Sequence, residues 1–257
     1  SRHVAALRVV LVSYPVGMVM LALLAPSIGG TVSTPAVVWG ALCGVSQGLA
    51  VWWFYAALGS GPILVVSPLT AVLAAGVPLA AGLGLGERPG PAAGFGVVLA
   101  LVAVVLVSRE ATDEDVRPHR FTRTVAWLTL GAGLGFGLNY VLIAQAPEDA
   151  RLWPLLFGRI AATAVVLVAA TATGNLRPPQ GFPLRLALTA AVFDVAANIS
   201  MLLALQASLL SLSSVLMSLY PAFTVVLAIV VLRERVSRWQ VAGMVAAVAA
   251  VAMISVH

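Results

Sequence analysis

Residues 57–69, ALGSGPILVVSPL, followed by LGER at 85–88, return later in the chain as ALQASLLSLSSVL at 204–216 and LRER at 232–235. The copies superpose without a gap at an offset of 147 residues, which lays Glu234 over Glu87. About 15 of 52 paired positions are identical across the two hairpins. A duplicated unit of this length sets the architecture, and its composition sets the solvent.

The 257-residue chain is 61% hydrophobic and 9% charged, where soluble domains carry about 25% charged residues. No Asp, Glu, Lys or Arg occurs between Arg8 and Glu87, a run that no water-facing surface tolerates. The chain therefore reads as an integral membrane protein, and the repetition of apolar segments rules out a signal peptide as the explanation. The net charge of +5 comes from 14 arginines and no lysine. They sit at segment ends rather than in a stripe, so the implied partner is the lipid bilayer and not nucleic acid. The single cysteine, Cys43, forms no intrachain disulfide.

Pro, Gly and charge clusters divide the chain into nine candidate membrane helices, at about 4–25, 36–58, 61–85, 91–108, 124–145, 152–173, 183–205, 209–232 and 236–256. The polar stretch at 109–123, REATDEDVRPHRFTR, holds about a third of all charges and reads as a linker. The expected division is a first repeat at 1–108, this linker, and a second repeat at 124–257. Four helices precede the linker and five follow, and Arg8 in AALRVVLV resembles Arg159 in LFGRIAAT. The expectation is therefore an all-α polytopic protein of two five-helix repeats, with the first helix missing from a chain that begins at Ser1. A repeat with an odd number of helices enters the membrane from the opposite side the second time, so the halves are inverted about an axis in the membrane plane. Such a pair rocks between two equivalent states, which is alternating access.

The two five-helix repeats, Ala57-Leu58 and Ala204-Leu205, the pairs Glu87-Arg88 and Glu234-Arg235, and Tyr220-Pro221 resemble the EamA-domain family of the drug/metabolite transporter superfamily. The first half departs from this pattern, with Ala74 at the place of Pro221 and prolines at 68 and 78. The resemblance implies a transporter that moves a small organic metabolite or drug, export rather than uptake, in the bacterial cytoplasmic (inner) membrane. It implies no prosthetic group, and a homodimer is compatible with it. The arginine distribution places the linker on the cytoplasmic side, whereas the resemblance to ten-helix members places it outside.

Asp194, in AAVFDVAANIS, falls near the middle of its segment, where a charge costs roughly 2.5–3.5 kcal/mol. Asn198 is one turn on, and at the offset of 147 Asp194 corresponds to Gln47. Gln47 and Asp194 thus form a candidate pair about the pseudo-two-fold axis, with Asp194 meeting an amine or carrying a proton. The alternative is a structural hydrogen bond between helices. Arg159 is a candidate for binding a carboxylate, against snorkelling to the headgroups. Asn139 and Tyr140 follow GAGLGFGL, whose glycines imply close helix packing, since no strand or P-loop pattern accompanies them. The two residues are nonetheless candidates for the cavity wall. Trp53, with Trp52 and Tyr55, is either an interfacial anchor or a stacking wall, and Tyr220 joins the candidates beside Pro221. The Glu-Arg pairs read as headgroup anchors.

No metal-ligand spacing joins His3, His119 and His257. HExxH is absent, and Cys43 has no histidine in its own or a neighbouring segment. A membrane-embedded enzyme, or a passive channel or structural membrane protein, remains the alternative to a transporter.

Overall fold

A computed structural model describes residues 2–108, 122–174, 176, 179–217, 219, 223, 226 and 237–255. Among these the structure is helical throughout, with no strand. In chain order the helices are α1 (Arg2–Ile28), α2 (Thr34–Ser60), α3 (Ile63–Gly84), α4 (Pro91–Ser108), α5 (Arg123–Ala144), α6 (Trp153–Ala172), α7 (Phe182–Ala207), α8 (Leu210–Met217) and α9 (Arg238–Ser255). Six of them are long and apolar enough to cross a membrane, namely α1, α2, α3, α5, α6 and α7. The apolar parts of α4 and α9 are shorter, at Pro91–Val107 and Arg238–Ile254. Of the segment expected at 209–232, α8 is the continuous helix described, with Phe223 and Val226 also helical beyond it, and the pairs Tyr220-Pro221 and Glu234-Arg235 lie outside the described residues.

The helix ends follow local chemistry. Ser33 caps α2, accepting from the Ala36 amide at 3.4 Å with Pro35 in the first turn, and Thr122 caps α5, accepting from Val125 at 3.3 Å. Between α1 and α2, Gly30 has φ +101°, and a Cβ there would lie 2.9 Å from the Ala150 carbonyl oxygen. Only glycine meets both demands.

Between apolar helices in lipid the hydrophobic effect offers little, so close backbone packing must hold the bundle. Gly40, Gly44 and Gly48 recur every four residues along one face of α2, which lies on α6. A methyl group on Gly40 or Gly44 would collide with the carbonyls of Pro154 and Gly158, and one on Gly48 would meet Val165 at 2.8 Å. Contacts that advance together along both chains make α2 and α6 parallel. The alternating glycines of α5 serve two neighbours. Gly131 and Gly135 take Trp53 and Ala50 of α2, while Gly133 and Gly137 take Leu73 and Val77 of α3. The close packing expected of GAGLGFGL is what these contacts deliver.

The helices α4 and α9 meet in a reciprocal way. A Cβ on Gly96 would lie 3.2 Å from the Ala250 oxygen and 2.9 Å from Ile254 Cγ1. One on Gly243 would lie 3.1 Å from the Ala103 oxygen and 2.6 Å from Val107 Cγ2. The start of each helix faces the end of the other, so the two are antiparallel. Around this contact a core of Val97, Val104, Leu212, Leu219, Ala247 and Ile254 ties α4 and α9 to α3 and α8. A second core, with Leu21, Ile143, Leu156, Val195 and Leu202, joins α1, α2, α5, α6 and α7.

Candidate functional site

Arg159 sits inside α6 and is 2% exposed. A buried guanidinium is tolerable only where its charge is met. Its Nη2 lies 2.6 Å from Asp194 Oδ2 on α7, and its Cζ lies over the Tyr14 ring of α1, 4.5 Å from the centroid. Gly17, one turn from Tyr14 on α1, brings α1 close to α7, since a Cβ there would lie 3.2 Å from Val195 Cγ2. Asn198, a turn beyond Asp194, donates through Nδ2 to the Asp194 carbonyl at 2.7 Å and to Oδ1 at 3.2 Å. Three helices thus converge on one ion pair.

Beside this pair lies a cavity of about 470 Å³ between α2, α3, α5, α7 and α8. Phe54, Tyr55 and Phe136 give it an aromatic side, with Phe54 and Phe136 edge to face at 5.9 Å, and Met201 and Met217 lie across from α7 and α8. Its polar groups are Gln47, Thr70, Asn139, Tyr140 and Asn198. Gln47 and Asn198 also line a small void that reaches Arg159 and Cys43, so the cavity and the ion pair share a wall. Asn139 is anchored by its Nδ2, which donates to the Cys43 carbonyl at 3.1 Å and lies 2.9 Å from the sulfur. The Ser46 hydroxyl donates to the Gly135 carbonyl at 2.7 Å, fixing the same face of α2 against α5.

Of the residues singled out from sequence, the structure brings together Gln47, Asn139, Tyr140 and Asn198 on the cavity and Arg159 with Asp194 beside it. Trp53 packs on Gly131 of α5, and the wall at that turn of α2 is made by Val51, Phe54 and Tyr55. Tyr220 lies outside the described residues. Sequence reading treated Arg159 and Asp194 separately and missed their pairing. The signal was there, because each is a charge deep in its helix and the two have opposite sign. Tyr14 and Phe136 were also missed, and nothing in their local sequence distinguishes them from other apolar-segment aromatics.

Glu87 differs from its expected role as a headgroup anchor. Its Oε1 accepts from the Leu210 amide at 2.7 Å and its Oε2 from the Ser211 amide at 2.9 Å. The carboxylate therefore caps the start of α8, where free amides and the helix dipole favour a negative charge. At this same end the loop after α1 is joined to the turn before α6. The Thr31 hydroxyl meets the Asp149 carboxylate, the Thr31 amide donates to the Asp149 carbonyl at 3.0 Å, and Arg151 Nη1 donates to the Ile28 carbonyl at 3.3 Å. Among the described residues no group of three His, Cys, Asp or Glu side chains converges as a metal site would require.

A profile of the EamA-like transporter family matches residues 123–256. A crystal structure described only as that of a protein superposes with a TM-score of 0.72 over 98% of this chain and 88% of that one, at 17% identity. That likeness speaks for the fold alone. No curated protein matches the chain.

Proposed function

The chain belongs to the EamA-like transporter family, within the drug/metabolite transporter superfamily, and on that premise we propose that it is a secondary transporter moving a small organic solute by alternating access. The observation that carries the reading is the cavity between α2, α3, α5, α7 and α8, apolar and aromatic over most of its wall, with a few amides and a charge pair at one side. That is the make-up of a small-molecule site. Its position on helices drawn from both sides of the polar linker suits a site that two moving halves share.

Inverted repeats are supported by the contact of α4 with α9. At the offset of 147, Gly96 corresponds to Gly243, Ala103 to Ala250 and Val107 to Ile254. Each residue of the contact thus meets the counterpart of what its own counterpart meets, the mark of a two-fold relation. A two-fold that exchanges antiparallel helices is perpendicular to them, hence parallel to the bilayer. The packing of α2 on α6 and of α7 on α1 is exchanged in the same way. In this reading the Glu87 cap and the Thr31–Asp149 and Arg151–Ile28 contacts join the halves at the end opposite the linker and hold that end shut.

Export from the cytoplasm across a bacterial inner membrane, driven by protons exchanging at Asp194, completes the proposal, with the solute and the bilayer as its partners. The test is flux. Full-length protein in sealed vesicles will move a member of a solute panel across the membrane and release it chemically unchanged. Conversion of a solute without net movement would identify an enzyme, and leak that neither saturates nor discriminates would identify a channel.

A further inference from the structure

We propose that the solute carries a carboxylate, which docks on the inner edge of the Arg159 guanidinium while the apolar remainder of the molecule occupies the aromatic cavity. This rests on the transport reading and names the chemistry of its substrate. Arg159 is 2% exposed, and its Nη1 has no hydrogen-bond partner among the described residues, although Nη2 faces Asp194. Buried donors are almost always satisfied, and one left open next to a cavity is placed for an acceptor that comes and goes. A void of only about 10 Å³ that Arg159 borders is bounded also by Gln47 and Asn198, which line the larger cavity, so a head group entering from the cavity reaches the guanidinium by displacing these two side chains.

Three features select a carboxylate. The planar fork of arginine matches two carboxylate oxygens. The pair with Asp194 is neutral, so Arg159 offers at most one positive charge, and only to an anion that displaces Asp194, which suits a carboxylate better than the two charges of a phosphate. A cationic group, by contrast, would have to compete for Asp194 with the Arg159 guanidinium, whose Nη2 lies 2.6 Å from Oδ2, while Oδ1 receives Asn198. The incoming anion therefore competes with Asp194 for the guanidinium. Asp194 can yield, because its side chain is 33% exposed and keeps Asn198 as a donor. The aromatic side formed by Phe54, Tyr55 and Phe136 then receives a flat or apolar body.

The test uses full-length protein in lipid nanodiscs, titrated calorimetrically with benzoate, benzamide and benzylamine, three molecules of one size that differ in charge. Benzoate will bind at least about tenfold more tightly than the other two, the usual worth of a charge-assisted hydrogen bond. Asp194→Asn removes the competing carboxylate and will tighten benzoate binding by about tenfold or more, a gain that misfolding cannot produce. Arg159→Gln will abolish benzoate binding, and Arg159→Lys, which keeps the charge without the fork, will weaken it. Preference for benzylamine that is lost in Asp194→Asn would overturn the proposal, as would equal benzoate affinity in Arg159→Gln or absence of benzoate binding in every variant. Saturable vesicle flux confined to solutes without a carboxylate would overturn it while leaving the transport reading in place.

Discussion

Replacing Gly44 by alanine adds one methyl group at the closest point between α2 and α6. A Cβ there would collide with the Gly158 carbonyl oxygen and lie 2.6 Å from its carbon and 2.7 Å from the Gly158 Cα. Carbon atoms pack at about 3.5–4.0 Å, so the helices must part by roughly 1 Å, and backbone cannot step aside as a flexible side chain does. Overpacking of this kind costs about 1–3 kcal/mol, and alanine returns up to about 1 kcal/mol of helix propensity. The expected net loss is about 0–2 kcal/mol. Gly76 of α3 provides the control, since a Cβ there meets nothing within 4 Å. Gly76→Ala will therefore be neutral or stabilising by up to about 1 kcal/mol. Unfolding of the two variants in the same detergent, followed by circular dichroism against denaturant, measures the difference. Because Gly158 precedes Arg159, Gly44→Ala will also displace the ion pair and lower solute binding. Equal stability of the two variants would refute the account of α2 and α6 as a backbone-to-backbone contact.

Asp194→Leu leaves the Arg159 guanidinium buried without its carboxylate and will cost about 3–5 kcal/mol, most of which the double variant Arg159→Met, Asp194→Leu will recover; thermal unfolding of the three proteins checks this. Glu87→Ala removes the acceptor for the Leu210 and Ser211 amides and will destabilise the protein by about 1 kcal/mol, with faster hydrogen exchange at the start of α8 as its local signature. Gly96→Ala and Gly243→Ala alter the two ends of one reciprocal contact, so both will lower stability in denaturant unfolding, Gly243→Ala the more because its Cβ would also lie 2.8 Å from the Val107 amide nitrogen. A loss at only one of them would deny the two-fold relation.

Long apolar runs make the helices legible. The spans read for α2, α5, α6 and α7 end within a few residues of Ser60, Ala144, Ala172 and Ala207, because in lipid only a helix satisfies such a run. The direction each side chain faces is less accessible. The helical repeat alone does not decide between Trp53, which packs on Gly131, and its neighbours Phe54 and Tyr55, which line the cavity. That choice depends on how α2 is rotated by Gly40, Gly44 and Gly48, a small-residue pattern that is plain in the sequence and was overlooked beside the denser glycines of α5. Glu87 was misassigned for a different reason. Its partners lie more than a hundred residues away, at the start of α8, and a charge at a hairpin gives no sign of which helix end it will meet. Asp194 was recognised by depth and Arg159 by its place inside an apolar run, while their pairing required the contact of α6 and α7 with α1 to be known.

Transport by alternating access requires one end of the molecule to open for a solute to cross, and a cross-link there tests it most directly. Thr31 and Asp149 face each other between the loop after α1 and the turn before α6, and the chain has a single native cysteine, Cys43. In a Cys43→Ser background, Thr31→Cys with Asp149→Cys will form a disulfide on oxidation. Flux into vesicles will stop when it forms and resume on reduction, with either single-cysteine variant unaffected by oxidant. Undiminished flux through the fully cross-linked protein would contradict alternating access at this end.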